Sequence, residues 1–126
     1  MAKECLCNAS ETVIFPCSGG SNCGQIANKV AVMLTQDGVG TIFCLAGIGA
    51  HISGMIESAR SAKRIVAIDG CSVECAKKTL EHAGLTITDY IDITKEGVVK
   101  NKDFNLSQQD ILYIAKRIRQ ELNIKK

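Results

Sequence analysis

Tryptophan is absent from the chain, and aromatic residues make up only 4% of it. Fifteen basic residues stand against thirteen acidic ones, for a formal charge of +2. The basic patch and stacking aromatics of a nucleic-acid binder are therefore missing, and no nucleic-acid partner is expected. Long apolar runs are missing too. Nothing approaches the roughly 18 uninterrupted apolar residues that cross a bilayer, so no membrane segment is expected. Residues Met1 to Asn8 lack the charged-then-apolar order of a signal peptide, and we expect a cytosolic chain. No linker, repeat or low-complexity run divides residues 1–126. That length suits one domain, since most hold roughly 100–150 residues. Residues 1–10 are expected to be a mobile segment ahead of it. An apolar fraction of 46% with 22% charge excludes disorder and fibrous repeats.

What is there alternates regularly. Thr12 to Cys17 is a short apolar run ending in a turn, and it predicts a buried strand. From Ser21, Ile26, Val30, Met33 and Leu34 recur at helical spacing until Asp37-Gly38. Thr41 to Ala46 reads as a second strand closed by Gly47-Ile48-Gly49, with Cys44 packed inside the core. Ile52, Met55, Ile56 and Ala59 mark a second helix. Arg64 to Ile68 is a third buried strand, ending at Asp69-Gly70. Val73, Ala76, Leu80 and Ala83 form the stripe of a third helix, with Gly84 as its C-cap. A more polar fourth strand carrying Ile87, Ile91 and Ile93 belongs at an edge. After a loop from Lys95 to Asn105, Ser107 caps a last helix that buries Ile111, Ile114, Ala115, Ile118 and Leu122. Strand and helix in alternation predict a three-layer α/β/α sandwich around a mostly parallel sheet of four strands.

Seven cysteines, an odd number, are the departure from average composition. In a reducing compartment, and with enough apolar residues for a core, they point to metal ligation or thiol chemistry rather than structural disulfides. Right-handed crossovers bring every strand-to-helix turn to the carboxyl edge of a parallel sheet, where ligands usually bind. Cys17 ends the first strand there, and Cys23 follows in Cys17-Ser18-Gly19-Gly20-Ser21-Asn22-Cys23-Gly24. Cys71 and Cys75 follow the third strand in Asp69-Gly70-Cys71-Ser72-Val73-Glu74-Cys75. At the start of a helix these last two would share a face, roughly 6 Å apart. With the flavodoxin-like strand order 2-1-3-4, strands one and three are neighbours and all four thiols converge. With the order 3-2-1-4 they do not, so the cysteine placement itself argues for 2-1-3-4.

Four thiolates suit Zn²⁺ at about 2.3 Å, and they suit an iron–sulfur cluster as well. A zinc site of this kind carries a formal charge of −2. Two helix N-termini would favour it by about 0.3–1 kcal/mol each and would ease thiol ionisation. The segment Cys17 to Lys29, with Asp69-Gly70-Cys71 and Cys75, resembles the DGC-domain family, small proteins described by four potentially chelating cysteines around a central Asp-Gly-Cys. The resemblance extends over roughly residues 12–120. It implies Cys17, Cys23, Cys71 and Cys75 as ligands of a zinc site.

Other residues carry weaker signals. His51, after the second strand, is read as a ligand, base or sulfur partner on the same edge, or as a solvated residue. His82 is read as solvated in the last turn of its helix, far from that edge. Asp69 is expected to stabilise the turn before the third helix. Cys5 and Cys7 form a Cys-x-Cys that can add thiolates or belong to a mobile terminus. Cys23 occupies the arginine position of the Cys-x5-Arg phosphate cradle found in low-molecular-weight tyrosine phosphatases and arsenate reductases. The group that clamps phosphate is thus missing. Two functions remain. One is a zinc-binding protein with a structural, sensing or carrier site. The other is a thiol–disulfide oxidoreductase or sulfur-transfer protein using Cys17 with Cys23 or Cys71.

Overall fold

The computed structural model describes residues 11–123; Cys5, Cys7 and the predicted mobile segment lie outside the described residues. Strands β1 (Thr12–Pro16), β2 (Thr41–Ile42), β3 (Arg64–Asp69) and β4 (Asp89–Asp92) form one sheet in the order β2-β1-β3-β4. Every pairing is parallel, with Ile14 opposite Ile42 and Val66, and Asp69 opposite Asp92. The polar fourth strand takes an edge, as its composition predicts.

Helices cover both faces. Helices α1 (Asn22–Gln36) and α5 (Gln108–Glu121) pack Ile26, Val30, Leu34, Ile111, Ile114 and Ile118 against Ile14, Val66 and Ile68. Helices α2 (Leu45–Gly49), α3 (Ser53–Arg60) and α4 (Cys75–His82) bring Ile48, Ala59, Ala76 and Leu80 against Val13, Phe15, Ile65 and Ala67. The alternation along each strand thus feeds two apolar layers, and this gives the sandwich its stability. The helix ends follow local chemistry. Ser21 Oγ accepts from Gly24 N at 3.1 Å and Ser107 Oγ from Asp110 N at 3.2 Å. Gly38 and Gly84 take the left-handed conformation that ends α1 and α4. No helix among the described residues is long and apolar enough to cross a membrane.

Three predicted elements shift. The fourth strand shortens to Asp89–Asp92, leaving Ile87 ahead of it and Ile93 at the start of a 3-10 turn that ends at Glu96. The second strand is cut to Thr41–Ile42, because the chain turns at Cys44 into the short helix α2 rather than running on to Ala46. Phe43 is buried against Phe15, with ring centroids 5.7 Å apart, whereas Cys44 is exposed instead of lying in the core. The helix after β3 starts at Cys75, two residues beyond Val73, which is exposed and not part of its apolar stripe.

Candidate functional site: a cysteine crevice at the carboxyl edge

Neighbouring strands β1 and β3 end side by side, and their loops meet without side chains between them. A methyl group at Gly70 would stand 2.7 Å from Gly24 N and 2.9 Å from the Cys23 carbonyl carbon, and real contacts are not that short. Gly24 packs as closely on the backbone of Gly19. Glycine is required at these positions because one backbone lies directly on the other. The approach lets Gly70 N donate to Cys17 Sγ at 3.3 Å, so a thiol of the first loop is held by the backbone of the second.

Over this junction lies a crevice of about 200 Å³. Cys17, Cys71 and Cys75 line it, together with Lys100 and Lys102. Cys71 lies in the turn before α4, not on a helix face with Cys75, which is the first residue of that helix. The spacing alone thus misjudged how this pair meets. Cys23 does not line the crevice. It is fully buried among the α1 and α5 apolar residues, with Sγ 3.8 Å from Val98 O. Among the described residues, no three His, Cys, Asp or Glu side chains already stand disposed to hold one metal ion.

Burial pushes the Cys17 thiol above its ordinary range, and the N–H groups of Gly19 and Gly70 partly offset this. Burial also raises Cys23, with Cys71 adding to the effect and Lys100 opposing it. Lys100 Nζ stands 3.4 Å from Cys71 Sγ. Lys102 Nζ donates to Gly20 O at 2.6 Å.

Their loop, between β4 and α5, is fastened by Asn22 at the start of α1. Asn22 Nδ2 donates to Val99 O, Asn101 N donates to Asn22 Oδ1, and Asn22 N donates to Asn101 O. Sequence reading missed both lysines. They lie in an aperiodic loop, and only the fold-back onto α1 brings them to the sulfurs.

Asp69 ends β3 beneath the crevice and is buried. It accepts from Ala76 N at 2.7 Å, Lys77 N at 3.0 Å and Tyr90 Oη at 2.9 Å. It therefore caps α4 from a distance, in place of Glu74, which has no side-chain cap bond. This matches its expected role in the turn. Desolvation pushes the Tyr90 hydroxyl far above its usual range, and its bond to Asp69 adds to that.

His51 is not beside the sulfurs. Its ring lies against His82, centroids 5.2 Å apart, in a left-handed backbone at the end of α2. His82 closes α4 whereas Cys75 opens it, so the length of that helix, about 12 Å at 1.5 Å per residue, separates the histidines from the thiols. Both are exposed.

A second crevice of about 480 Å³ lies over β1 and β2, lined by Cys17, Ser18, Asn28, Phe43, Cys44 and Leu45 among others. Cys17 thus stands between the two.

The fold and the junction define a class: three-layer α/β proteins with cysteine loops converging over adjacent parallel strands. The profile of the DGC domain matches residues 13–118, and the chain belongs to that family. It is similar to the anaerobic and virulence modulator AnvM of Pseudomonas aeruginosa strain PAO1, at 31% identity over 98 residues. That alignment covers 78% of this chain and 75% of the relative. No solved structure matches.

Proposed function

We propose that the chain is a metal-binding protein that holds a soft divalent ion, Zn²⁺, in the cysteine crevice, with a sensing or carrier role in a reducing compartment. The observation that carries this reading is that three cysteines from two loops line one cleft, with Cys17 Sγ held by Gly70 N. The donor set fits the ion, because thiolates are its preferred ligands and the ordered backbone N–H donates to the sulfur. Cys17, Cys71 and Cys75 would hold it after rotating toward one another. The family pattern adds Cys23 as a fourth thiol, and its burial is what fits least. The relative's name describes a modulator, which supports a regulatory reading over a hydrolytic one.

Elemental analysis of anaerobically purified full-length protein, wild type beside Cys71→Ser, tests this. One zinc per wild-type chain and a marked loss in the variant are expected. Iron in place of zinc would redirect the reading to an iron–sulfur cluster, and no metal in either would end it.

Cys17, Cys71 and Cys75 around one crevice also suit a second reading, thiol–disulfide exchange or sulfur transfer, in which one thiol attacks and a neighbour resolves. Free thiols counted with Ellman's reagent separate the two. Thiols released by a chelator alone support the metal, and thiols released only by reductant support a disulfide.

A further inference from the structure

We infer that the larger crevice, over β1 and β2, binds a small uncharged organic molecule with an apolar body and a hydrogen-bond-accepting carbonyl. This goes beyond the metal-binding reading and does not rest on it. The cleft lies at the carboxyl edge of the sheet, where open parallel sheets bind their ligands. Its volume of about 480 Å³ falls within the roughly 300–1,000 Å³ of small-molecule sites. No Asp, Glu, Lys, Arg or His is among the residues that line it. A charged ligand would give up water there with no ion to pair with, and that is costly. Two thiols, Cys17 and Cys44, border the cleft without a third ligating side chain, short of the set that holds an ion.

Part of the lining is apolar and fixed. Pro16, Ile42, Phe43 and Leu45 supply it. The Phe43 ring stands edge-on to buried Phe15, and its N–H donates to Ile14 O at 2.9 Å. The rest is polar without charge. Ser18, in the left-handed conformation (φ 52°), donates through Oγ to Asn28 Oδ1 at 3.2 Å. Gln25 Nε2 fastens the same turn, donating to Ser18 O at 3.3 Å and to Gly19 O at 2.9 Å. With its oxygen engaged, the Asn28 amide keeps two N–H donors that no described residue accepts. Those donors call for an acceptor on the ligand, and a carbonyl oxygen supplies one without charge. The apolar surface and the polar anchor are thus both in place before a ligand arrives.

The probe is N-cyclohexylmaleimide, an uncharged apolar ring joined to two carbonyls, whose double bond alkylates thiols. Alkylation of Cys44 in reduced full-length protein is read by mass spectrometry of its peptide. The comparison reagent is 4-maleimidobutyrate, which carries a carboxylate, and each rate is divided by that reagent's rate with a short cysteine peptide. We expect the cyclohexyl reagent to reach a saturating rate. At low concentration it should outpace the carboxylate by about tenfold or more, against the formal charge of +2, which favours an anion. N-cyclohexylsuccinimide, its saturated and unreactive counterpart, should slow the labelling competitively.

Asn28→Ala should raise the concentration at half-saturation about three- to tenfold. Ala46→Trp, at an exposed position in the lining, should abolish saturation with the circular dichroism unchanged. Equal corrected rates for the two reagents, a cyclohexyl rate that only rises in proportion to concentration, or no protection by the succinimide overturns the inference. Unchanged half-saturation in Asn28→Ala overturns the carbonyl contact. No metal is loaded in these measurements, so their outcome and that of the zinc analysis are independent.

Discussion

Two crevices open on the same edge of the sheet and share Cys17, yet they differ in every property that makes a binding site for a soft ion. The one over β1 and β2 is larger, about 480 Å³ against about 200 Å³, and its walls include Ile42, Phe43, Leu45 and Ala46. Its second thiol, Cys44, is exposed at the start of a five-residue helix, where no side-chain cap bond forms. The smaller crevice has three thiols, two lysines, and a backbone close enough for Gly70 N to reach a sulfur. In the proposed reading the smaller crevice holds the ion because two glycine-bearing loops approach closely there, which the parallel neighbours β1 and β3 permit.

The sharpest way to break this contrast is to exchange the cysteines. Cys71→Ser is expected to lower zinc affinity by about a hundredfold or more, while Cys44→Ser leaves it within about twofold, both read by competition with a chromophoric chelator. Equal losses would erase the distinction between the two crevices. Next in size is Asp69→Ala, which removes three accepted hydrogen bonds beneath the smaller crevice. A cost of about 2–4 kcal/mol in urea unfolding is expected. Tyr90→Phe, which removes one of the three, should cost about 1 kcal/mol.

Glycine substitutions sharpen the same comparison. Gly70→Ala forces the loops apart and should cost about 1–3 kcal/mol while weakening zinc binding. Gly54→Ala, in α3 where an added methyl meets nothing within 4 Å, should stabilise by about 0.5–1 kcal/mol and leave zinc binding alone.

The smallest effect is the pH response of the metal-free reduced protein. Burial raises Cys17 and Cys23 above the ordinary 9.0, so the unfolded chain ionises first. Their contribution is complete below 9.0 and is lost as pH rises through their folded values, so the urea midpoint should hold below about pH 8 and decline beyond about pH 9. A midpoint that climbs across that range would contradict the burial of these thiols.

Much of this was legible in the residues. Long apolar periods in α1 and α5, the buried runs of β1 and β3, and the capping serines at 21 and 107 act locally, and the structure follows them. Even the strand order could be read, because only adjacency of β1 and β3 brings the cysteine loops together. The misses share one cause, which is that local pattern does not encode where the chain folds back. Thr41 to Ala46 is apolar enough for a longer strand, yet the chain bends at Cys44 and exposes a thiol that its neighbours Phe43 and Leu45 suggested was inside. His51 follows a strand end in sequence, but α2 carries it away from the sulfurs to His82. Cys23 sits one residue into α1, facing the apolar layer, and a count of chelating residues does not reveal direction. Lys100 and Lys102 reach the cleft only through contacts more than seventy residues distant in sequence, made by Asn22.

Anomalous scattering at the zinc edge, from crystals of the zinc-loaded full chain, tests the central claim most directly. The account predicts one peak at about 2.3 Å from the sulfurs of Cys17, Cys71 and Cys75. A peak beside His51 and His82, or none within reach of the two cysteine loops together, would contradict it.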